Sequence, residues 1–172
     1  MKDIMLKIVG KQLYGSSKEE EQLEFVTEGK FYEENNSVYL LYDESEFSGV
    51  EGCTTSLKVT GDKVLMRRHG ESVPLDTEIE FEKGKRFTGY YNTPFGAIEM
   101  EVLTNDIINN INRIEGKGSL NIDYNISLKG LAEGRSLLDI EILENKINPN
   151  GDDVPFNEVR NDKSPLERIY EE

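Results

Sequence analysis

A period-two alternation of apolar residues recurs almost everywhere in this chain before residue 148. Successive side chains of an extended strand point to opposite faces, so a chain with this rhythm buries one face of a sheet and wets the other. The clearest run is Leu120, Ile122, Tyr124, Ile126 and Leu128, interleaved with Asn121, Asp123, Asn125, Ser127 and Lys129. The same rhythm passes through Ile4, Leu6 and Ile8, then Leu23, Phe25, Thr27 and Phe31, then Val38, Leu40 and Tyr42. It continues in Leu57 and Val59, Val64 and Met66, Ile79 and Phe81, Ile98, Met100 and Val102, and Leu138, Ile140 and Ile142. No stretch of comparable length carries apolar residues at i, i+3, i+4 and i+7. The chain is all-β.

The breaks between these runs are rich in residues that accept positive φ or stop a ladder: Gly15-Ser16-Ser17, Asn35-Asn36, Gly61-Asp62, His69-Gly70, Lys83-Gly84, Thr93-Pro94-Phe95-Gly96, Gly116-Lys117-Gly118 and Glu133-Gly134. Connections this short join antiparallel neighbours, because a parallel crossover needs a dozen residues or more. The sequence therefore predicts a single antiparallel up-and-down barrel of eight to ten strands over residues 1–148, closed or nearly closed so that few edges remain exposed. Between Thr104 and Ile114 the apolar residues Ile107, Ile108, Ile111 and Ile114 leave the alternation amid Asn and Asp, which fits a bulged strand, with a single helical turn as the alternative. After Ile147 the pattern stops. Residues 149–172 form an acidic extension in which Ser164-Pro165 opens a short helix expected over 165–171, with Leu166, Ile169 and Tyr170 on one face. That face is too small to fold alone and calls for a surface, on the chain's own barrel or on a second copy in a homodimer.

Charge removes several classes of function. Thirty-four Asp and Glu against 20 Lys and Arg give a formal net charge of −14, which repels a phosphate backbone and an anionic membrane surface alike. Neither nucleic acid nor membrane is expected as a partner. No apolar run approaches the roughly 20 residues that span a bilayer, and Lys7 interrupts the only apolar stretch near the N-terminus. The expectation is a soluble, cytoplasmic protein. Cys53 is the one cysteine and His69 the one histidine, so the pairs and clusters required by zinc, iron–sulfur or dithiol chemistry are missing, and no metal or other cofactor is called for. His69, before a turn glycine and without a second histidine, reads as a loop residue, and Cys53 as a small buried one.

Five runs carry a resemblance to a known family. In order they are Thr27-Glu28-Gly29-Lys30-Phe31-Tyr32, Tyr42-Asp43-Glu44-Ser45-Glu46-Phe47-Ser48-Gly49, Glu51-Gly52-Cys53-Thr54-Thr55, Arg68-His69-Gly70 and Tyr91-Asn92-Thr93-Pro94-Phe95-Gly96. Together they resemble the YwiB-like family, uncharacterised small β-barrel proteins of Gram-positive bacteria, over about residues 3 to 147. The resemblance implies a lipocalin-like, calycin-type barrel and brings no activity with it. Cys53 stands where another small residue such as Thr is expected, and the chain after Asn148 runs past the family's usual end.

A barrel of about eight strands has an interior wide enough for side chains or one small ligand, so polar residues on inward positions are the informative ones. If Val38, Leu40 and Tyr42 point inward, the period brings Glu44 inward as well; if Val64 and Met66 do, Arg68 follows. An acid and a base then approach one mouth, with hydroxyls available from Thr27, Tyr42 and Tyr90 or Tyr91. Three functions fit this set. In the first, the barrel binds a small, partly apolar ligand with an anionic group, held by the planar fork of Arg68 between tyrosine walls. In the second, a cofactor-free acid–base enzyme of the decarboxylase type uses Arg68 to hold a carboxylate, Tyr42 to orient it and Glu44 to move a proton. In the third, an Arg68–Glu44 ion pair plugs a filled, purely structural barrel or a protein-interaction barrel. No catalytic residue is assigned.

Overall fold

The computed structural model describes residues 1–13, 20–43, 53–70, 77–93, 96–129 and 132–143. The 149–172 extension, with the helix expected at 165–171, lies outside the described residues, as does Glu44. Ten strands account for the described chain: β1 (Lys2–Leu13), β2 (Glu20–Glu34), β3 (Ser37–Asp43), β4 (Cys53–Thr60), β5 (Lys63–Gly70), β6 (Thr77–Glu82), β7 (Arg86–Thr93), β8 (Gly96–Asn112), β9 (Lys117–Leu128) and β10 (Ala132–Leu143). No helix of the described residues is long and apolar enough to cross a membrane.

The strands form one sheet in the order β6-β5-β4-β3-β2-β1-β10-β9-β8-β7, antiparallel throughout. The first and last strands pair over nine residues, from Met5↔Leu143 to Leu13↔Arg135. The seam of this nearly closed barrel lies in the middle of the chain, between β6 and β7, which pack together without a ladder. At the base of the seam Lys85 N donates to Glu82 O at 3.0 Å and Gly84 N donates to Thr104 O at 2.8 Å, so the turn is anchored to β8.

Alternation becomes burial as the sequence predicts. On β3 the pattern sends Val38, Leu40 and Tyr42 inward, on β4 Cys53, Thr55, Leu57 and Val59, and on β5 Val64 and Met66. Asn35 and Asn36 turn the β2–β3 hairpin with φ of 51° and 65°, the left-handed pair that matches strand twist in a two-residue turn. His69 is part of β5, opposite Thr54 on the exposed outer face, and not in a loop: the strand runs one residue past it to Gly70.

The irregular stretch after Thr104 is a bulged strand. Register against β9 shifts between Thr104 and Asp106, leaving Asn105 as the extra residue, and its side-chain amide donates outside the barrel to Asp123 at 3.1 Å and Asn125 at 2.6 Å. A bulge bends the strand that carries it. Beyond the bend Asn109 donates to Gly61 O at 2.8 Å in the β4–β5 turn, Arg113 donates to Asn36 at 2.9 Å in the β2–β3 turn, and Glu115 O accepts from Lys2 Nζ at 2.8 Å. The second half of β8 thus ties together the turns at one end of the barrel. Phe81, Val38, Val59, Val64 and Leu120, all at most 2% exposed, fill the interior there, with Ile107 beside them. The β8–β9 return depends on glycine: Gly118 sits at φ 125°, and a Cβ at that position would come within 2.0 Å of Asn110 O.

Candidate functional site

The opposite half of the barrel is hollow. A cavity of about 860 Å³ opens between β1, β2, β9, β10 and the β3, β5, β6 and β7 walls. Ile8, Leu23, Phe25, Met66, Ile79, Ile126, Leu128 and Leu138 make most of its lining apolar. Gly10 also lines it, and a Cβ built there would meet no atom within 4 Å. The segments that join the strands at this end, 14–19, 44–52, 71–76, 94–95 and 130–131, lie outside the described residues.

Register sets Arg68 in a row of inward-facing polar residues, of which Tyr42 and Arg68 line the cavity. Tyr42 faces Thr55 across β3 and β4, Thr55 faces Arg68 across β4 and β5, and Arg68 faces Thr77 across β5 and β6. Directly paired residues share a face of the sheet with Cβ atoms about 4.5–5.5 Å apart, so these four side chains form one inward row around the guanidinium. Tyr42, Thr55 and Thr77 are buried at 4%, 0% and 6% exposure, and Arg68 is half-buried.

A second pair stands on the opposite wall. Tyr124 on β9 is the direct partner of Ser136 on β10, and their hydroxyls hydrogen-bond. The Tyr124 ring packs on Phe81 with centroids 4.9 Å apart at 58°, which joins the filled half of the barrel to the floor of the cavity. Burial pushes the Tyr124 phenol above its ordinary pKa, while the charge of Arg68 and the Ser136 hydrogen bond pull it down. With burial the dominant influence, the hydroxyl keeps its proton at neutral pH and acts as a neutral donor or acceptor. Arg68 and Tyr124 line the same cavity.

Of the residues expected from sequence, Tyr42, Arg68 and Tyr91 all line the cavity. Thr27 points inward and is 6% exposed, but lies one inward position past Phe25, away from the cavity wall, and its hydroxyl donates to Glu28 O at 3.3 Å. Tyr90 is a correction: strand alternation that turns Tyr91 in turns Tyr90 out, where it is 63% exposed. Glu44, whose place beside Arg68 the acid–base enzyme and the plugging ion pair both require, lies outside the described residues. Sequence reasoning missed Thr55, Thr77, Tyr124 and Ser136. Thr55 was within reach, since counting outward from the Gly61-Asp62 turn through Thr60↔Lys63 places it opposite Arg68. Thr77 was not, because residues 71–76 separate its strand from β5 and hide the register. Among the described residues no cluster of three or more His, Cys, Asp or Glu could hold a metal ion.

The family model described as a domain of unknown function, DUF1934, matches residues 6–140, which is the barrel from β1 into β10. The chain belongs to the DUF1934 family. It is 31% identical to the uncharacterised β-barrel protein YwiB of Bacillus subtilis (strain 168) over 108 residues, covering 62% of this chain and 70% of YwiB. The crystal structure of the Bacillus subtilis protein superposes with a TM-score of 0.61 at 23% identity, over 83% of this chain and 94% of that one. The structural likeness shows the DUF1934 barrel fold; it assigns no ligand and no reaction.

Proposed function

We propose that the barrel is a binding protein for a small, partly apolar ligand carrying an anionic group. The observation that carries this reading is the cavity of about 860 Å³ with Arg68 in its wall. Ligand sites are typically clefts of about 300–1,000 Å³, mostly apolar, with a few convergent polar groups that fix orientation. The lining here follows that division: aliphatic and aromatic side chains over most of the surface, with Arg68 and the hydroxyls of Tyr42, Tyr91, Tyr124 and Ser136 among its polar groups. An Arg side chain binds an anion through directed, charge-assisted hydrogen bonds, and does so more strongly away from bulk water.

The test uses 1-anilinonaphthalene-8-sulfonate, a rigid apolar monoanion whose fluorescence rises on leaving water. The purified protein is expected to bind it saturably at one site. Gly10→Phe, which builds a ring into the cavity from a position with open space in front of it, is expected to abolish the signal while leaving the circular dichroism spectrum unchanged. Absence of saturable binding, or binding that ignores the Gly10→Phe plug, would refute the reading.

A further inference from the structure

Met5 breaks the rule that governs the rest of the outer wall. Its neighbours Ile4 and Leu6 both belong to the interior core, so strand alternation turns Met5 outward, between Glu28 on β2 and Leu143 on β10. Yet Met5 is 2% exposed and forms no part of the interior core. Other outward apolar residues show what this wall leaves to solvent: Ile108 on β8 is 48% exposed and Tyr90 on β7 63%. Cross-strand neighbours shield the flanks of an outward side chain and leave its tip in water, so burial to this degree calls for a layer on top. Glu28, the direct partner of Met5, is itself exposed and does not supply that layer.

The surroundings of Met5 extend it into an apolar strip. Val9 on β1, Val26 on β2, Leu41 on β3, and Leu137 and Leu143 on β10 all alternate outward and are half-buried. The strip crosses the wall where the first and last strands of the barrel meet, and Met5 has no part in the lining of the cavity. We infer that this strip is the docking surface for the chain's own C-terminal segment, 144–172, with Leu166, Ile169 and Tyr170 seated over Met5. The inference is independent of what the cavity binds.

Position, length and charge select this occupant. The segment begins at the strip, because Leu143, the last residue of β10, is the direct ladder partner of Met5. It can return there: about 20 residues separate Leu143 from Leu166, each able to advance about 3.3 Å, whereas four adjacent strands span only about 15 Å. Leu166, Ile169 and Tyr170 form an apolar face too small to fold alone, and the strip offers the complementary surface. A second copy would bring its own net charge of −14 against this one. A tethered segment meets the strip at an effective concentration on the order of millimolar without that approach.

Peroxide oxidation read by peptide mass spectrometry tests the inference, because the methionines carry their own standards: Met1 is 81% exposed and Met100 0%. In the unaltered chain Met5 is expected to oxidise at least tenfold more slowly than Met1. In the whole chain carrying Leu166→Asp, Ile169→Asp and Tyr170→Asp together, Met5 is expected to oxidise at least fivefold faster than in the unaltered chain, while Met100 stays protected and shows that the barrel is folded. Met5 protection unchanged by these substitutions would overturn the assignment. Protection that fades on hundredfold dilution of the unaltered chain would also overturn it, and would give the strip to a second copy. Should Met100 lose protection as well, cross-linking with a short bismaleimide decides. Glu28→Cys combined with Glu167→Cys is expected to give an intrachain cross-link, and Glu80→Cys, on the outer face of β6 across the barrel, combined with Glu167→Cys is expected to give none. No cross-link in the first pair, or equal yields in both, would refute docking on the strip.

Discussion

Two glycines of the barrel make opposite predictions for the same substitution. At Gly118 the backbone has φ 125°, a region closed to L side chains, and the added methyl of Gly118→Ala would lie 2.0 Å from Asn110 O and 2.9 Å from Ile111 Cα. These are backbone atoms, so no rotamer change can relieve the overlap. The conformational strain alone is of order 1–3 kcal/mol. Prying β8 from β9 at the Ile111↔Gly118 pair to make room sacrifices a ladder hydrogen bond worth about 1 kcal/mol. A total near 3 kcal/mol lowers the melting temperature by roughly 6–12 °C for a chain of this size. At Gly10 no positive φ is present and no atom lies within 4 Å of the added methyl. Gly10→Ala removes freedom from the unfolded chain without strain in the folded one, and is expected to raise stability by about 0.4–1 kcal/mol. Thermal melts followed at the β-sheet circular dichroism minimum give both values. A loss below about 2 °C for Gly118→Ala would show that the β8–β9 return is not held as described. A loss at Gly10→Ala as large as at Gly118→Ala would show that the cavity in front of Gly10 is filled.

Tyr124→Phe leaves the Ser136 hydroxyl without its phenol partner and should cost about 1 kcal/mol in urea denaturation; a neutral effect would mean the pair contributes nothing. Because burial raises the Tyr124 phenol above its ordinary value of 10.0, the unfolded chain releases that proton first, so stability present below pH 10 declines as pH rises beyond it, and Tyr124→Phe should flatten that decline. On the outer wall the Arg135 guanidinium, donating to both oxygens of Asp123 at 2.9 and 2.6 Å, holds that carboxyl below its ordinary value of 3.8. Its contribution is present above pH 3.8 and lost as pH falls below it, so Asp123→Asn should make the acid limb of a stability–pH profile shallower, and only slightly, because solvent screens the exposed Arg135; an acid limb unchanged by Asp123→Asn would assign the acid sensitivity elsewhere. Removing residues 149–172 should lower the melting temperature of the barrel with no change of oligomeric state, as expected if Leu166, Ile169 and Tyr170 dock on it; unchanged melting and unchanged hydrogen exchange would show that they do not.

The sequence by itself determined the strands, their antiparallel order and the side of each strand that is buried. Alternation is a local property, and with apolar residues at every second position only one face of each strand gains free energy by leaving water. Asn35-Asn36 and Gly61-Asp62 set two hairpin registers outright, because a two-residue turn leaves no freedom in the pairing beyond it. The same period placed Tyr42 and Arg68 inward, yet it offered no way to choose between Tyr90 and Tyr91, since neighbouring residues differ only by the phase of the strand. Tertiary structure settled three things. It put the seam between β6 and β7, because β1 and β10 meet instead, a pairing of residues more than a hundred positions apart that no local pattern encodes. It divided the interior into a filled half and a hollow half, because the bulge at Asn105 sends β8 across only one end. And it set Tyr124 and Ser136 across from the Arg68 row, a juxtaposition created by closing the sheet on itself: residues on opposite walls of a barrel have no common turn from which their separation could be counted.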